Sequence, residues 1–163
     1  MHIESPLALY EYTVQPEWLD FNDHMNLAYY LLAFDKAGDE FYRYASIAEP
    51  YIEERGMSMF TLDANLTYKR ELRGGDPIRV TMRILGVDAK KIHFVEHMYH
   101  GAEGYLAAAT EWLVINVDLT ERRSTPFPED IMAFLNQVAE AHAHMPVPPE
   151  VGRVISLNAG KPG

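Results

Sequence analysis

Cysteine is absent from the 163-residue sequence. The chain can therefore form no disulfide framework and has no thiolate to act as a nucleophile or a metal ligand. Apolar runs of membrane-spanning length are also missing, and the first residues, Met1 to Ser5, lack the basic and apolar regions of a signal peptide. These absences favour a cytoplasmic protein that has no membrane partner.

Positive charge is scarce. The chain has 14 Lys and Arg against 24 Asp and Glu, a net charge of -10, and its basic residues fall in short pairs such as Lys69-Arg70 and Lys90-Lys91. We therefore expect no nucleic-acid partner. The length and the 48% hydrophobic content fit one domain with a sizeable core, over residues 1–145. Residues 146–163 are rich in proline and glycine, which predicts an extended and partly disordered tail.

One short stretch concentrates the polar residues that can do chemistry. Within seven residues lie five candidates: Asp20, Asn22, Asp23, His24 and Asn26. Asn and Asp favour turns and helix caps, and Asn26 stands where an N-cap is wanted. Apolar residues interleave with them, including Trp18 and Met25, which predicts a half-buried loop. A helix N-terminus there presents free N–H groups that suit a developing oxyanion.

A helix is predicted from Leu27 to Ala45, because apolar residues recur along it at helical spacing. Gly38 falls on the apolar stripe. Glycine costs helix propensity, so its position predicts close approach of another backbone, such as a sheet wrapped over the helix.

The rest of the chain alternates between strands and turns. Strands are predicted at 7–15, 58–72, 78–87, 92–100 and 105–118, and a last helix from Glu129 to about His144. In the second strand Phe60, Leu62 and Ala64 should share one face, since the alternation is strict. One helix followed by hairpin-connected strands predicts an α+β domain with an antiparallel sheet. Its uncovered edges predict oligomerisation.

The pattern Asp20, His24, Asn26 and Tyr30, with this element order, resembles the hotdog-fold acyl-CoA thioesterases of the 4-hydroxybenzoyl-CoA thioesterase type. The string from Trp18 to Met25 is similar to the betainyl-CoA thioesterase branch, which has Gly where this chain has Asp23. The resemblance implies one hotdog domain, with an antiparallel sheet around a long central helix and a C-terminal helix. It also implies hydrolysis of a short acyl-CoA, betainyl-CoA among the candidates, by a homodimer or homotetramer without a cofactor.

The same resemblance assigns catalytic roles. Asp20 would attack the thioester as a nucleophile or align water as a base, and His24 would donate to the carbonyl or orient Asp20. Asn26 would cap the helix or touch substrate, and the backbone N–H of Leu27 would bind the oxyanion. Plainer interpretations stay open: a turn aspartate, a structural histidine and a simple cap.

Seven residues are candidates for substrate binding: Trp18, Asn22, Leu27, Tyr30, Asp63, Asn65 and Tyr68. If Asp63 faces inward, it and the indole of Trp18 would suit a cationic acyl group. Alternatively, the face that carries Asp63 and Asn65 is exposed to solvent. Four arginines are candidates for the phosphates of coenzyme A: Arg70, Arg73, Arg122 and Arg123.

No metal site is expected. His93 and His97 share one strand face while His100 lies on the other, and His142 and His144 fit the end of a solvated helix. Two other functions compete with hydrolysis. One is a non-catalytic module that binds acyl-CoA or acyl-carrier protein, and the other is a dehydratase, whose usual His/Asp motif is not seen here.

Overall fold

A computed structural model describes residues 2–157. A short turn of 3-10 helix occupies Pro16–Trp18. The helices and strands follow one another in this order: β1 (Leu7–Thr13), α1 (Leu27–Tyr44), α2 (Glu49–Arg55), β2 (Met57–Tyr68), β3 (Pro77–Val87), β4 (Lys91–His100), β5 (Leu106–Asp118), β6 (Arg123–Ser124) and α3 (Glu129–His142).

The strands form one antiparallel sheet in the order β1-β3-β4-β5-β2, with the short β6 beside the end of β5. The helix α1 packs on one face of this sheet, here called the inner face, and its Phe34 and Phe41 are fully buried there. The predicted α+β architecture, an antiparallel sheet around a long helix with a C-terminal helix, is confirmed. In the described part of the chain, every helix is too short or too polar to cross a bilayer.

The strict alternation predicted for β2 is wrong. The pairing of β2 with β5 shifts register between Thr61 and Asp63, which marks a β-bulge at Leu62. An extra residue in one strand reverses which side chains face the core beyond it. Thr61 consequently pairs with the buried Val114 on the inner face, whereas Phe60 lies on the outer face with Asp63.

No backbone approaches Gly38 as its position predicted. Among the described residues, the nearest atom to a Cβ placed on Gly38 is the side-chain Oε1 of Glu96, at 3.9 Å. That distance is an ordinary contact, so the glycine leaves free space beside a buried carboxyl group instead of allowing two backbones to meet.

The prediction that His142 ends a solvated helix is also wrong. Its side chain is fully buried. Nδ1 accepts a hydrogen bond from the Ile84 N–H at 3.0 Å, and Nε2 lies 3.0 Å from the Glu4 carbonyl. Because Nδ1 accepts, Nε2 carries the proton and donates it. Burial lowers the pKa of this imidazole, so a neutral His142 joins α3 to β3 and to the segment before β1.

After α3 the chain crosses the outer face of the sheet. Arg83 donates to the carbonyls of Met145 and Pro146, and the buried Glu150 pairs with Lys69 at 3.1 Å. The tail predicted at 146–163 therefore has no helix or strand up to residue 157, but it is packed against the sheet as far as Arg153. The remainder of the predicted tail, 158–163, lies outside the described residues.

Candidate active site

The polar stretch before α1 folds as a narrow hairpin. Its two arms meet where the Asp20 N–H donates to the His24 carbonyl at 2.8 Å, next to a β-bridge between Leu19 and Met25. The tip residues 21–23 are exposed, and Phe21 is 95% exposed. This hairpin places Asp20 and His24 opposite each other, a few residues before the helix begins.

The Asp20 carboxylate is fixed through one of its two oxygens. Oδ1 accepts the N–H of Asn22 at 2.8 Å and that of His24 at 3.3 Å. Within residues 2–157, no donor contacts Oδ2. An oriented carboxylate with one free oxygen can act on a water molecule or on a thioester, so the turn role and the catalytic role of Asp20 are compatible.

Asn26 caps α1 as predicted. Its Oδ1 accepts the Ala28 N–H at 3.0 Å, while its own N–H donates to the Trp18 carbonyl. The next N–H, that of Leu27, has no acceptor among the described residues, and the Leu27 side chain is 65% exposed. The first turn of α1 thus offers a free N–H at the end of the hairpin that carries Asp20, at the positive end of the helix dipole.

The ring of His24 is turned away from Asp20. Its Nε2 lies 3.4 Å from a carboxylate oxygen of Glu71, and it is the backbone N–H of His24 that orients the Asp20 carboxylate. Glu71 is a site residue that the sequence analysis missed. The predicted second strand ran through it, whereas β2 stops at Tyr68.

The connection between β2 and β3 contacts the hairpin through hydrogen bonds. Leu72 is fully buried, its carbonyl accepts the Met25 N–H at 2.8 Å, and its own N–H donates to the Tyr30 hydroxyl. Tyr68 packs edge-on against Tyr30 and donates its hydroxyl to the Leu27 carbonyl at 3.0 Å. Burial raises the pKa of Tyr30 to about 12, so this phenol stays neutral and positions the loop.

Trp18 does not present a ring face to the site. Its indole is 6% exposed and stacks between Tyr12 at 5.5 Å and Tyr29 at 5.6 Å, measured between ring centroids. Both faces are therefore covered, and the structure does not support the prediction that this indole contacts a cationic group. The stack anchors the start of the hairpin to β1 and α1.

Asp63 and Asn65 are not brought to the hairpin. They lie on the outer face of β2, where Asn65 donates to the Arg153 carbonyl at 3.0 Å and Asp63 is exposed. The prediction that Asp63 faces inward is therefore wrong, and the solvent-exposed alternative describes this face. The physical reason is alternation along β2: the apolar Ala64 pairs with the buried Trp112 on the inner face, so Asp63 and Asn65 on either side of it face outward.

Three histidines of β4 each pair with a different carboxylate. His93 contacts Glu111 at 2.7 Å, and His97 contacts Glu150 at 3.3 Å. The third, His100, is buried and lies 3.5 Å from Asp76. Over residues 2–157, no three His, Asp or Glu side chains converge as metal ligands would.

The arginines proposed for coenzyme A fall into two groups. Arg70 lies over the Tyr105 ring at 3.8 Å, and Arg73 forms a β-bridge with His24. The pair Arg122-Arg123 follows β5 at the opposite end of the sheet from the hairpin. Within one chain, only the first group lies beside the candidate site.

The hairpin contains a backbone conformation that favours glycine. Asp23 has a φ of 59°, in the left-handed region that costs an L-residue roughly 1–2 kcal/mol, and less for Asp and Asn. The resemblance noted in the sequence implies Gly at this position, and glycine adopts this conformation without strain. The Asp23 N–H donates to the Asp20 carbonyl, so this φ closes the turn that holds the carboxylate.

Replacing Asp23 by Gly should therefore raise the free energy of unfolding by up to about 1 kcal/mol. Urea denaturation followed by circular dichroism measures this. Asp23→Asn is the matched control: it removes the same charge while keeping a residue that tolerates the left-handed region, so it should stay near wild type. A less stable Gly variant would show that the Asp23 carboxylate itself stabilises the loop.

Comparison with known proteins agrees with this geometry. The family model of the thioesterase-like superfamily matches residues 14–135. A betainyl-CoA thioesterase of Pseudomonas aeruginosa is 36% identical over 93% of this chain and 95% of its own length. A Rhizobium meliloti L-carnitine dehydrogenase/betainyl-CoA thioesterase is 31% identical over 91% of this chain, which spans only 30% of that larger protein.

A solved structure extends the comparison. A hypothetical protein of Staphylococcus aureus, determined in complex with CoA, has a TM-score of 0.87 and 25% identity to this chain. The alignment covers 96% of this chain and 99% of the other. With the family match over residues 14–135 and the fold and hairpin described above, the chain belongs to the thioesterase-like superfamily, as a thioester hydrolase of the hotdog fold.

Proposed function

We propose that this enzyme hydrolyses betainyl-CoA to betaine and free CoA. The observation that carries the proposal is the Asp20 carboxylate, held with one oxygen free in the hairpin that leads into α1, whose first N–H has no acceptor among the described residues. The acyl group comes from the similarity to betainyl-CoA thioesterases, in sequence over nearly the whole chain.

Two routes fit the free oxygen of Asp20. As a nucleophile it bonds to the thioester carbon, CoA leaves through its sulfur, and water then hydrolyses the mixed anhydride. As a base it takes a proton from water, whose oxygen attacks the same carbon. In both routes negative charge develops on the carbonyl oxygen. The Leu27 N–H and the α1 dipole are placed to stabilise that charge.

The neighbouring residues have positioning roles in this scheme. Glu71 holds the ring of His24, which leaves the other ring nitrogen free to bind substrate, and Asn22 gives its N–H to Asp20. Asn26 fixes the start of the helix, and Tyr30 and Tyr68 fix the hairpin against it. Arg70 and Arg73 lie close enough to the hairpin to meet the phosphates of coenzyme A.

We also propose that the active form is a homodimer, or a tetramer built from such dimers. β2 is a twelve-residue strand at the edge of the sheet, with free backbone groups along one side. Apolar side chains flank it: Leu27 and Leu31 on α1 are 65% and 41% exposed, and Phe60 and Leu62 on β2 are 44% and 52% exposed. Long edges of this kind are covered in native proteins, and a second β2 would cover both the edge and the side chains.

The related proteins support a metabolic setting. Several relatives join a betainyl-CoA thioesterase to an L-carnitine dehydrogenase in one protein. We propose that this enzyme acts in carnitine metabolism in the cytoplasm, where acyl-CoA substrates are made and used.

The test is a comparison of two thioesters of the same shape. Betainyl-CoA carries a trimethylammonium group, and tert-butylacetyl-CoA has carbon in place of the nitrogen. We expect kcat/KM for the cation to exceed that for the neutral isostere by at least tenfold, as a charge recognised by aromatic and anionic groups requires. Equal or better hydrolysis of the neutral ester would remove betainyl-CoA as the substrate and leave a general acyl-CoA thioesterase.

A further inference from the structure

A buried acid of the inner face has no role in the site described above. Glu96 on β4 is fully buried, with 0% of its surface exposed. Its Oε2 accepts the indole N–H of Trp112 at 2.8 Å, but its Oε1 has no hydrogen-bond partner within residues 2–157. An unpartnered carboxyl oxygen in the core costs stability, so its presence points to a function.

This carboxyl group lies beside a cleft between α1 and β2. Trp112 borders the cleft and donates its indole N–H to Oε2. Gly38 also borders the cleft, and because glycine has no side chain there is free space between it and Oε1. The cleft is small, with a volume of about 10 Å³, the size of one water molecule. Its mouth is open, because the outer members Asp35 and Thr61 are exposed.

The walls of the cleft are aromatic, and the carboxyl groups at or next to it are those of Asp35 and Glu96. Phe34, Tyr42, Phe94 and Trp112 line it. Burial, together with the charge of Asp35, raises the pKa of Glu96 well above its usual range, and burial with the charge of Glu96 raises that of Tyr42. The one charge that shifts the pKa of Glu96 is that of Asp35. Asp35 is a second acid, so it cannot serve as a counter-charge for Glu96. A cleft of this chemistry is matched to a cation without N–H donors.

We propose that this cleft binds the trimethylammonium end of the betainyl group, with an N-methyl group in the mouth of the cleft, facing Gly38 and Trp112 in front of Glu96, and the charge near Asp35. The inference rests on the proposed function. It moves recognition of the cation from Trp18, which is stacked between two tyrosines, and Asp63, which lies on the outer face, to Glu96 and the aromatic walls. A bound cation would supply the counter-charge that Glu96 lacks, and the Glu96 carboxyl group would then lose its proton.

The cleft serves the active site of the second subunit. Gly38 lies about 16 Å along α1 from Leu27, at 1.5 Å per residue, too far for the short betainyl group of a substrate held at the same chain's Asp20. α1 and β2 run in opposite directions, since Tyr68 at the end of β2 contacts Leu27 at the start of α1. Pairing of two β2 strands about a twofold axis therefore brings the hairpin of the second copy toward Tyr42, next to the cleft.

Glu96→Gln tests the proposal, because it keeps the shape of the side chain and removes its charge. We expect kcat/KM for betainyl-CoA to fall at least tenfold, while that for tert-butylacetyl-CoA stays within twofold of wild type. An equal loss on both esters would overturn the cleft proposal and leave the thioesterase intact. If wild-type enzyme itself does not prefer the cation, the proposed substrate fails, whatever Glu96 does.

Gly38→Ala is a second variant that keeps the test informative if Glu96→Gln folds poorly. The added methyl group would meet Oε1 at 3.9 Å, an ordinary contact, and alanine is the better helix former, so stability should not fall. The methyl group fills the space beside Glu96. We expect an unchanged or higher Tm with a loss of activity on both esters, because the two acyl groups have the same shape, and full activity on betainyl-CoA would contradict the proposal.

Mixing two defective variants tests the crossing between subunits. A mixed dimer contains one Asp20→Asn chain and one Glu96→Gln chain. If each site takes Asp20 from one chain and Glu96 from the other, one of the two sites has both normal residues. If each site uses a single chain, both sites are defective. We expect co-refolded mixtures to regain up to half the wild-type activity per mixed dimer on betainyl-CoA. Activity no higher than the average of the two separate variants would show that the residues act within one chain and would overturn the crossed arrangement.

Discussion

Replacing Asp20 by Asn should lower kcat for thioester hydrolysis by roughly 10²- to 10⁴-fold, the range that a positioned acid–base group contributes. The amide oxygen of Asn can still accept the N–H groups of Asn22 and His24, so the hairpin and the Tm should be preserved. What is lost is the negative charge on the free oxygen. Release of the CoA thiol, followed with a thiol reagent, measures the rate.

Asp23→Asn is the matched control, since it makes the same change of charge three residues away at the exposed tip of the hairpin. It should keep a rate near wild type. If instead Asp20→Asn hydrolyses acyl-CoA normally, Asp20 only closes a turn, and the catalytic group must be sought elsewhere. Retained folding with lost hydrolysis is the result that the geometry predicts.

The two routes open to Asp20 differ in which molecule receives the oxygen atom of the water that is consumed, the enzyme or the released acid. In a single turnover in water labelled with oxygen-18, a nucleophilic Asp20 passes through a mixed anhydride. Water attack on the aspartyl carbon then leaves label in the carboxylate, which mass spectrometry of the peptide detects. A base that activates water leaves Asp20 unlabelled and puts the label only in the released acid.

Local features of the site could be predicted from the sequence because they depend on residues close together in the chain. The Asn26 cap accepts an N–H two residues away, and the turn at Asp20 closes over four residues. Asp23, where the resemblance implies glycine, has a left-handed φ, a conformation that glycine adopts without strain. These are matters of turn chemistry, for which residue type decides the conformation.

Features that depend on distant pairing could not be predicted in this way. The bulge at Leu62 arises from the register of β2 against β5, and it put Phe60 on the outer face although Ala64 lies on the inner face. The contact between His24 and Glu71 joins residues from separate elements, and nothing local to either one signals it.

Glu96 is a different case, because a signal for it was present in the sequence. Ile92, Phe94 and Met98 alternate on the apolar face of β4, and that alternation places Glu96 among them. A carboxylic acid in an otherwise apolar register is costly to bury. Such a position is a candidate functional residue even before its contacts are known.

The second large effect concerns the edge of the sheet. Wild-type protein should sediment as a dimer or tetramer at micromolar concentration, and the double variant Phe60→Glu, Leu62→Glu should sediment as a monomer. Both side chains are exposed, at 44% and 52%, so the single chain should still fold. Two added carboxylates on β2 would meet the same two on the second copy, and charges at a strand edge are what natural proteins use to prevent pairing.

Loss of the dimer should also abolish recognition of the acyl group. If the cleft beside Glu96 serves the Asp20 hairpin of the second subunit, a monomer has neither site complete, and kcat/KM for betainyl-CoA should fall at least 100-fold, an effect of about 2.7 kcal/mol on the transition state. Val147→Glu, which alters a more exposed apolar residue after α3, at 67%, is the control and should leave mass and activity unchanged. An active monomer, of the double variant or of the wild type, would show that one chain carries a complete site, and the pairing of β2 would then have no part in catalysis.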